Sequence, residues 1–190
     1  THRTPPPEQQ IPSVTIENKD ASRRLVEHLI KVHNRRRIVF ARGPRHQDDS
    51  RWREAGYREA LAENGLMYDP DLIICGEFER EIAYRAMLEF LSRDHPSFDA
   101  VFTGDDDSAI GIMKALNENG YRIPEDVSVV GFDDSRLSAF LTPPLTTVRA
   151  PTEDVGRTAA QLLFDVLSGE DVVPVTLLPT EIVIRHSCGC

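Results

Sequence analysis

The stretch DAVFTGDDDSAIGIMKAL, residues 99–116, sets three consecutive aspartates, Asp105, Asp106 and Asp107, between an apolar run and a helix-like pattern. A second acidic pair, Asp133 and Asp134 in VVGFDDS, also follows an apolar run directly. Arg53 in RWREAGY and Phe78 in CGEFERE stand in the segments after two further runs. Carboxylates, a guanidinium and an aromatic ring in such places allow three kinds of chemistry. Asp105-x-Asp107 could hold a divalent cation that bridges a diphosphate, as in a nucleotide-sugar glycosyltransferase, but no glycine-rich or basic phosphate cradle accompanies it. The acidic clusters could form a receiver-like phosphoacceptor site, but that chemistry wants a lysine after the last strand, where Gly131 and Phe132 stand. In the third reading the carboxylates accept from a hydroxyl-rich ligand, Arg53 donates from its planar fork, and Phe78 covers an apolar sugar face. That site needs no metal or cofactor and performs no reaction, and it is the reading the residues favour.

Structural roles compete for the same side chains. Asp106 is suited to cap a helix beginning near Ser108, and Asp134 one near Ser135, by accepting from free backbone amides. Asp107 is expected to face solvent. Asp105 and Asp133, one residue earlier at their strand ends, are the stronger ligand candidates, and Phe78 has core packing as its rival. No G-x-S-x-G elbow, H-E-x-x-H, Walker A loop or G-x-G-x-x-G is present, and nothing pairs a nucleophile with a base, so no enzymatic activity is expected. His28 and His33 are expected on a helix surface.

The elements that must position these groups are legible as an alternation. Apolar runs at Val14–Ile16, Ile38–Ala41, Leu72–Cys75, Ala100–Phe102 and Val127–Val130 read as strands. Between them, Leu25, Leu29 and Val32, then Ala83, Met87, Phe90 and Leu91, then Ala109, Ile112, Met113 and Leu116 each fall on one helical face. Strand, helix, strand, repeated, implies an α/β fold with a doubly wound parallel sheet. Its ligand crevice lies beyond the carboxyl ends of the strands, where the acidic clusters stand. After Asp134 come a short helix at 135–140, a proline-rich connector at 141–151, a long helix at 152–167 with Val155, Ala159, Leu162, Leu163 and Val166 on one face, and two β-type runs.

The 190 residues carry a formal charge of -9 and a pI near 5.1, which argues against this chain binding nucleic acid by itself. No membrane span or signal-peptide core is apparent. Three cysteines without framework spacing suit a reducing, cytoplasmic setting. The terminal Cys188-x-Cys190 reads as a frayed tail rather than as half a metal site.

Several stretches, in order, resemble the LacI/GalR family of bacterial transcriptional regulators: IPSVTIENKDASRRLVEHLI, RRIVFARGP, RWREAGYREALAENG, AVFTGDDDSAIGIMKALNENGYRIPEDVSVVGFDDS, PPLTTVRAP, GRTAAQLLFDVLSG and LPTEIVIRHSC. The likeness spans residues 11–188. It implies the effector-binding core of such a regulator, a periplasmic-binding-protein-like fold of two α/β lobes with a small effector between them. Arg53 matches the arginine that contacts the effector, Phe78 the stacking aromatic and Asp133 the accepting aspartate. Asp105 stands where many relatives have asparagine, so the group bound there should be a donor. Asp106 is carried as a further contact. With Glu77 these acids outweigh Arg53 and disfavour a phosphorylated effector, which leaves a neutral sugar or polyol.

The resemblance further implies a homodimer, with operator DNA reached only through a helix-turn-helix headpiece that this chain lacks. The SCGC ending is also similar to LacI-like sensor modules joined to other signalling proteins. The expected division is 1–12 as a loop or cut end, 13–148 as the C-terminal effector-binding lobe, 149–176 as a helix and connector of the N-terminal lobe, and 177–190 as final strand and tail. Most of the N-terminal lobe would then be missing, and the helix at 152–167 would lack its usual partner.

Overall fold

The computed structural model describes residues 11–190, so the expectation for the first ten residues lies outside the described residues. The chain runs β1 (Ser13–Ile16), α1 (Asn18–Lys31), β2 (Ile38–Arg42), α2 (Asp48–Glu63), β3 (Ile73–Cys75), α3 (Arg80–Ser92), β4 (Ala100–Thr103), α4 (Asp106–Glu118), β5 (Ser128–Val130), β6 (Thr147–Arg149), α5 (Thr152–Leu167), β7 (Val175–Leu178) and β8 (Glu181–Val183). The central sheet is parallel, in the order β3-β2-β4-β5. Single bridges from Val130 to Thr146 and from Asp133 to Arg149 carry it on to β6, which pairs antiparallel with β8.

Strand periodicity divides the core in two. Ile38 and Phe40, Ala100 and Phe102, and Val130 pack with α1 and α2 on one face. Their neighbours Val39 and Ala41, Val101, and Val129 pack with α3 and α4 on the other. Both faces are covered, which is why these strands read as continuous apolar runs rather than as alternation. On α1, the buried positions Ala21, Leu25, Val26, Leu29 and Ile30 make the inward stripe. Each large apolar side chain fully buried this way contributes roughly 1.5–3 kcal/mol.

Four expectations need correction. β1 does not extend the central sheet; it pairs with β7 in parallel, from Ser13 opposite Val175 to Ile16 opposite Leu178. Val32 lies beyond the end of α1 and is exposed, because the helix stops at Lys31. The short helix at 135–140 is a single 3-10 turn, Ser138–Phe140. The tail is not frayed: the Ser187 hydroxyl donates to the Val129 carbonyl at 2.6 Å, the Val129 amide donates to Ser187, and Cys188 is fully buried.

The long helix forms where periodicity places it, yet it has no buried residue. Leu163, Phe164 and Leu167 are 58%, 65% and 74% exposed, and Val175 and Leu177 on β7 are also exposed. An amphipathic helix with an open apolar face offers that face for packing.

Candidate effector-binding site

At the carboxyl ends of β2, β4 and β5 the structure gathers Arg53, Phe78, Asp105 and Asp133. Arg53 sits in the second turn of α2 and is 5% exposed. Its Nε donates to Asn18 Oδ1 at 2.9 Å, Nη1 donates to the Gly104 carbonyl, and Nη2 donates to Asp133 Oδ1 at 3.4 Å. The guanidinium carbon lies 3.7 Å from the centre of the buried Phe132 ring and 5.5 Å from that of Phe78. Five donors held against a ring and three acceptors make a rigid fork, and a lysine could not reproduce it.

Phe78 is half-buried, and its ring lies over the ends of β2 and β4. Glycine makes room for it: a Cβ on Gly43 would come within 2.2 Å of the ring, and one on Gly104 within 2.7 Å. Glu77, Phe78 and Asp133 all have positive φ, at 53°, 60° and 111°. Such backbone is unfavourable for residues with a side chain, by about 1–3 kcal/mol each. It is held because the surroundings fix it. For Asp133, the amide donates to Val148 of β6 at 2.7 Å.

The acidic cluster separates into distinct roles. Asp105, 7% exposed, is itself the cap of α4, its Oδ1 accepting from the Ser108 amide at 3.2 Å. Burial holds its carboxyl above the usual range, with hydrogen bonding from Ser108 and the charge of Arg53 opposing. Asp106 is neither a cap of its own helix nor a lining residue, contrary to both sequence expectations. It is 1% exposed, with Oδ1 accepting from the Thr147 hydroxyl at 2.6 Å and Oδ2 from the Ser135 amide at 2.7 Å. Its oxygens tie α4 to the loop after β5 and to β6, and burial raises its carboxyl to about 7.

Asp107 faces solvent as expected, its side chain 44% exposed, and it also accepts from the Arg80 amide at 3.0 Å and the Arg80 guanidinium at 2.6 Å, which supports the start of α3. Asp134, expected as a cap, accepts from Arg185 at 2.6 Å and from Arg149 at 2.7 Å instead. Asp133 alone among the aspartates of both clusters combines contact with Arg53 and a side chain still 44% exposed. Desolvation between the walls raises its carboxyl to about 6, with Arg53 opposing, and its openness to water moderates the effect.

Two residues of the site escaped sequence reading. Phe132 enters the sequence reading only as a residue standing where a receiver site would need lysine, and Asn18 stands at a helix start, where asparagine ordinarily reads as a cap. Asn18 instead donates to Asp49 at 3.0 Å while accepting from Arg53, so it links the starts of α1 and α2.

Convergent donors and acceptors beside an aromatic ring, on a doubly wound sheet at its carboxyl edge, define a binding domain for a polar small molecule. The chain belongs to the periplasmic binding protein-like domain family, which it matches over residues 26–188. Its relatives are LacI-family transcriptional regulators. The HTH-type transcriptional regulator CelR of Thermobifida fusca is 40% identical over 182 residues, which cover 95% of this chain and 53% of that protein. The solved CelR–cellobiose complex superposes with a TM-score of 0.89 at 39% identity, covering 95% of this chain and 55% of that one. A sugar-binding LacI-family regulator from Escherichia coli, solved with phosphate, gives 0.87 at 31% identity over 98% and 66%. The chain thus spans about half the length of the relatives it matches.

Proposed function

We propose that this chain is the sugar-sensing part of a LacI-type transcriptional regulator, and that a neutral sugar binds where Arg53, Phe78, Asp105 and Asp133 converge. The observation that carries this reading is Arg53, a buried cation held by Asn18, Gly104 and an open carboxylate, with aromatic rings at 3.7 and 5.5 Å. In this reading Asp133 accepts from a vicinal diol, Asp105 accepts through the oxygen not used in its cap, and Phe78 stacks on the apolar face of the ring. Cellobiose in the CelR complex is a neutral disaccharide on a similar scaffold, which supports the same chemical class here.

Residues 13–148, apart from β1, form the C-terminal lobe, while 149–176 and 177–190 supply a helix, a connector and the last strands. The open face of α5 and the β1–β7 pair would pack within the N-terminal lobe, the other wall of the cleft. An open cavity of about 610 Å³ beside Asn18, walled by Ile16, Trp52, Val175 and Leu177, faces the same side. Effector held between two lobes favours their closed arrangement. In a homodimer that change is passed to operator DNA through a headpiece elsewhere in the protein, in the cytoplasm. Among the described residues no helix is long and apolar enough to cross a membrane.

Calorimetry on the full-length protein with neutral sugars, nucleobases and nucleotide sugars tests the assignment. Metal-independent binding of a neutral sugar is expected; metal-dependent turnover of a nucleotide sugar would overturn it.

A further inference from the structure

At the edge of the sheet opposite the crevice, four side chains from two distant segments turn toward one point. His28 comes from the last turns of α1, His33 from just beyond it, and Cys188 and Cys190 from the segment after β8. The two histidine Nε2 atoms are 3.2 Å apart. Cys190 Sγ lies 3.6 Å from Nε2 of His28 and 3.3 Å from Nε2 of His33. All four potential ligand atoms lie within 4.8 Å of one another. A tetrahedral zinc ion bound at its usual distances from nitrogen and sulfur sets edges of about 3.3 Å between nitrogens and about 3.6 Å between nitrogen and sulfur. The three separations among His28, His33 and Cys190 agree with those edges to within a few tenths of an ångström. Hydrogen bonding explains the cluster less well, because facing imidazole nitrogens need opposite roles and a thiol is a weak partner for either.

The surroundings are built to hold this arrangement. Asn34, at φ 55°, turns the chain after His33, and Arg35 donates to the Ser128 hydroxyl at 3.0 Å. Ser128 in turn donates to the Cys188 carbonyl at 2.7 Å. Gly189 between the cysteines has φ 111°, and a Cβ there would meet His33 Nδ1 at 3.1 Å. Buried Cys188 has the Thr146 hydroxyl 3.1 Å from its sulfur, a donor suited to a metal-bound thiolate.

We propose that His28, His33, Cys188 and Cys190 form a closed four-coordinate zinc site that fastens the end of α1 to the segment after β8. Four protein ligands leave no open position, so the ion is structural rather than catalytic. Binding releases the two thiol protons as both sulfurs become thiolates. All three cysteines are free in the structure, so both sulfurs are available. His28 stands ten residues along α1 from Asn18, about 15 Å at the helical rise, so the site is separate from the crevice.

The test uses full-length protein without an added histidine tag, purified under reducing conditions. Elemental analysis should find about one zinc per chain, and Co2+ in its place should give the visible absorption of a tetrahedral site with sulfur-to-cobalt charge transfer. Cys190→Ser and His33→Gln, chosen because neither side chain is fully buried, should each weaken zinc binding at least tenfold. Both should keep the fold by circular dichroism and the effector affinity of the parent. Metal-free protein with reduced thiols and no tetrahedral cobalt spectrum would overturn the proposal. So would a Cys188–Cys190 disulfide that persists in reductant, or full zinc content in the C190S/H33Q double variant.

Discussion

Asp106 and Asp133 carry the same functional group near one crevice and do different work because of what their oxygens meet. Asp106 is enclosed and satisfied by Thr147 and Ser135, whereas Asp133 keeps an open face beside Arg53. Both carboxyls are raised, to about 7 and about 6. A carboxyl raised in the fold stabilises fully below its unfolded value, 3.8, and that stability is lost as pH rises through the folded value. Stability should therefore fall between about pH 4 and 7. Asp106→Ala should cost about 1–3 kcal/mol at pH 5, where the Ser135 amide loses its acceptor, and less at pH 8. Denaturant titrations at both pH values check this, and an equal cost at both would contradict it. For Asp133 the expected effect is on binding: sugar affinity should drop below about pH 6 as its carboxylate is protonated, which calorimetry at pH 5 and 7.5 would show. How far such roles were legible in the sequence depends on what each one rests on. The aspartates' position at strand ends was readable from apolar runs, but which of three neighbours caps, ties or binds depends on side chains from β6 and α3. No local pattern encodes those partners.

At the scale of elements, the same division holds. Strands and helices were legible because apolar periodicity is local, and α5 appears where its stripe predicted. The pairing of β1 with β7 rather than with the central sheet was not legible, since it joins segments some 160 residues apart through backbone groups. Likewise, His28 and His33 read as helix surface because their neighbours Cys188 and Cys190 arrive from the far end of the chain. The open face of α5 gives a test at this scale. Leu163→Ser with Phe164→Ser should change the stability of this chain alone by less than about 0.5 kcal/mol, as exposed sites do. In the full-length protein the pair should cost about 1.5–3 kcal/mol for each side chain, where the second lobe covers them. Equal effects in both contexts, read by thermal unfolding, would refute the assignment of α5 to that lobe.

For the whole molecule, the crevice and the proposed zinc clip stand at opposite ends of α1. One end carries Asn18, hydrogen-bonded to Arg53 at the proposed effector site, and at the other the proposed clip would tie the tail to the C-terminal lobe. A sensor of this design works by differential affinity: the effector must bind the closed arrangement of lobes more tightly than the open one, or no signal follows. In the proposed site Arg53 is where that affinity should concentrate, because its fork joins both helix starts, the end of β4 and the open carboxylate. The most direct measurement is calorimetry of a neutral sugar on full-length protein, comparing the parent with Arg53→Ala and Arg53→Lys. Losing two or more charge-assisted hydrogen bonds should weaken binding by about 10- to 100-fold in the alanine variant. The lysine variant should recover only part, since it restores the charge and not the fork. Sugar affinity unchanged in Arg53→Ala, with the fold intact, would contradict the account.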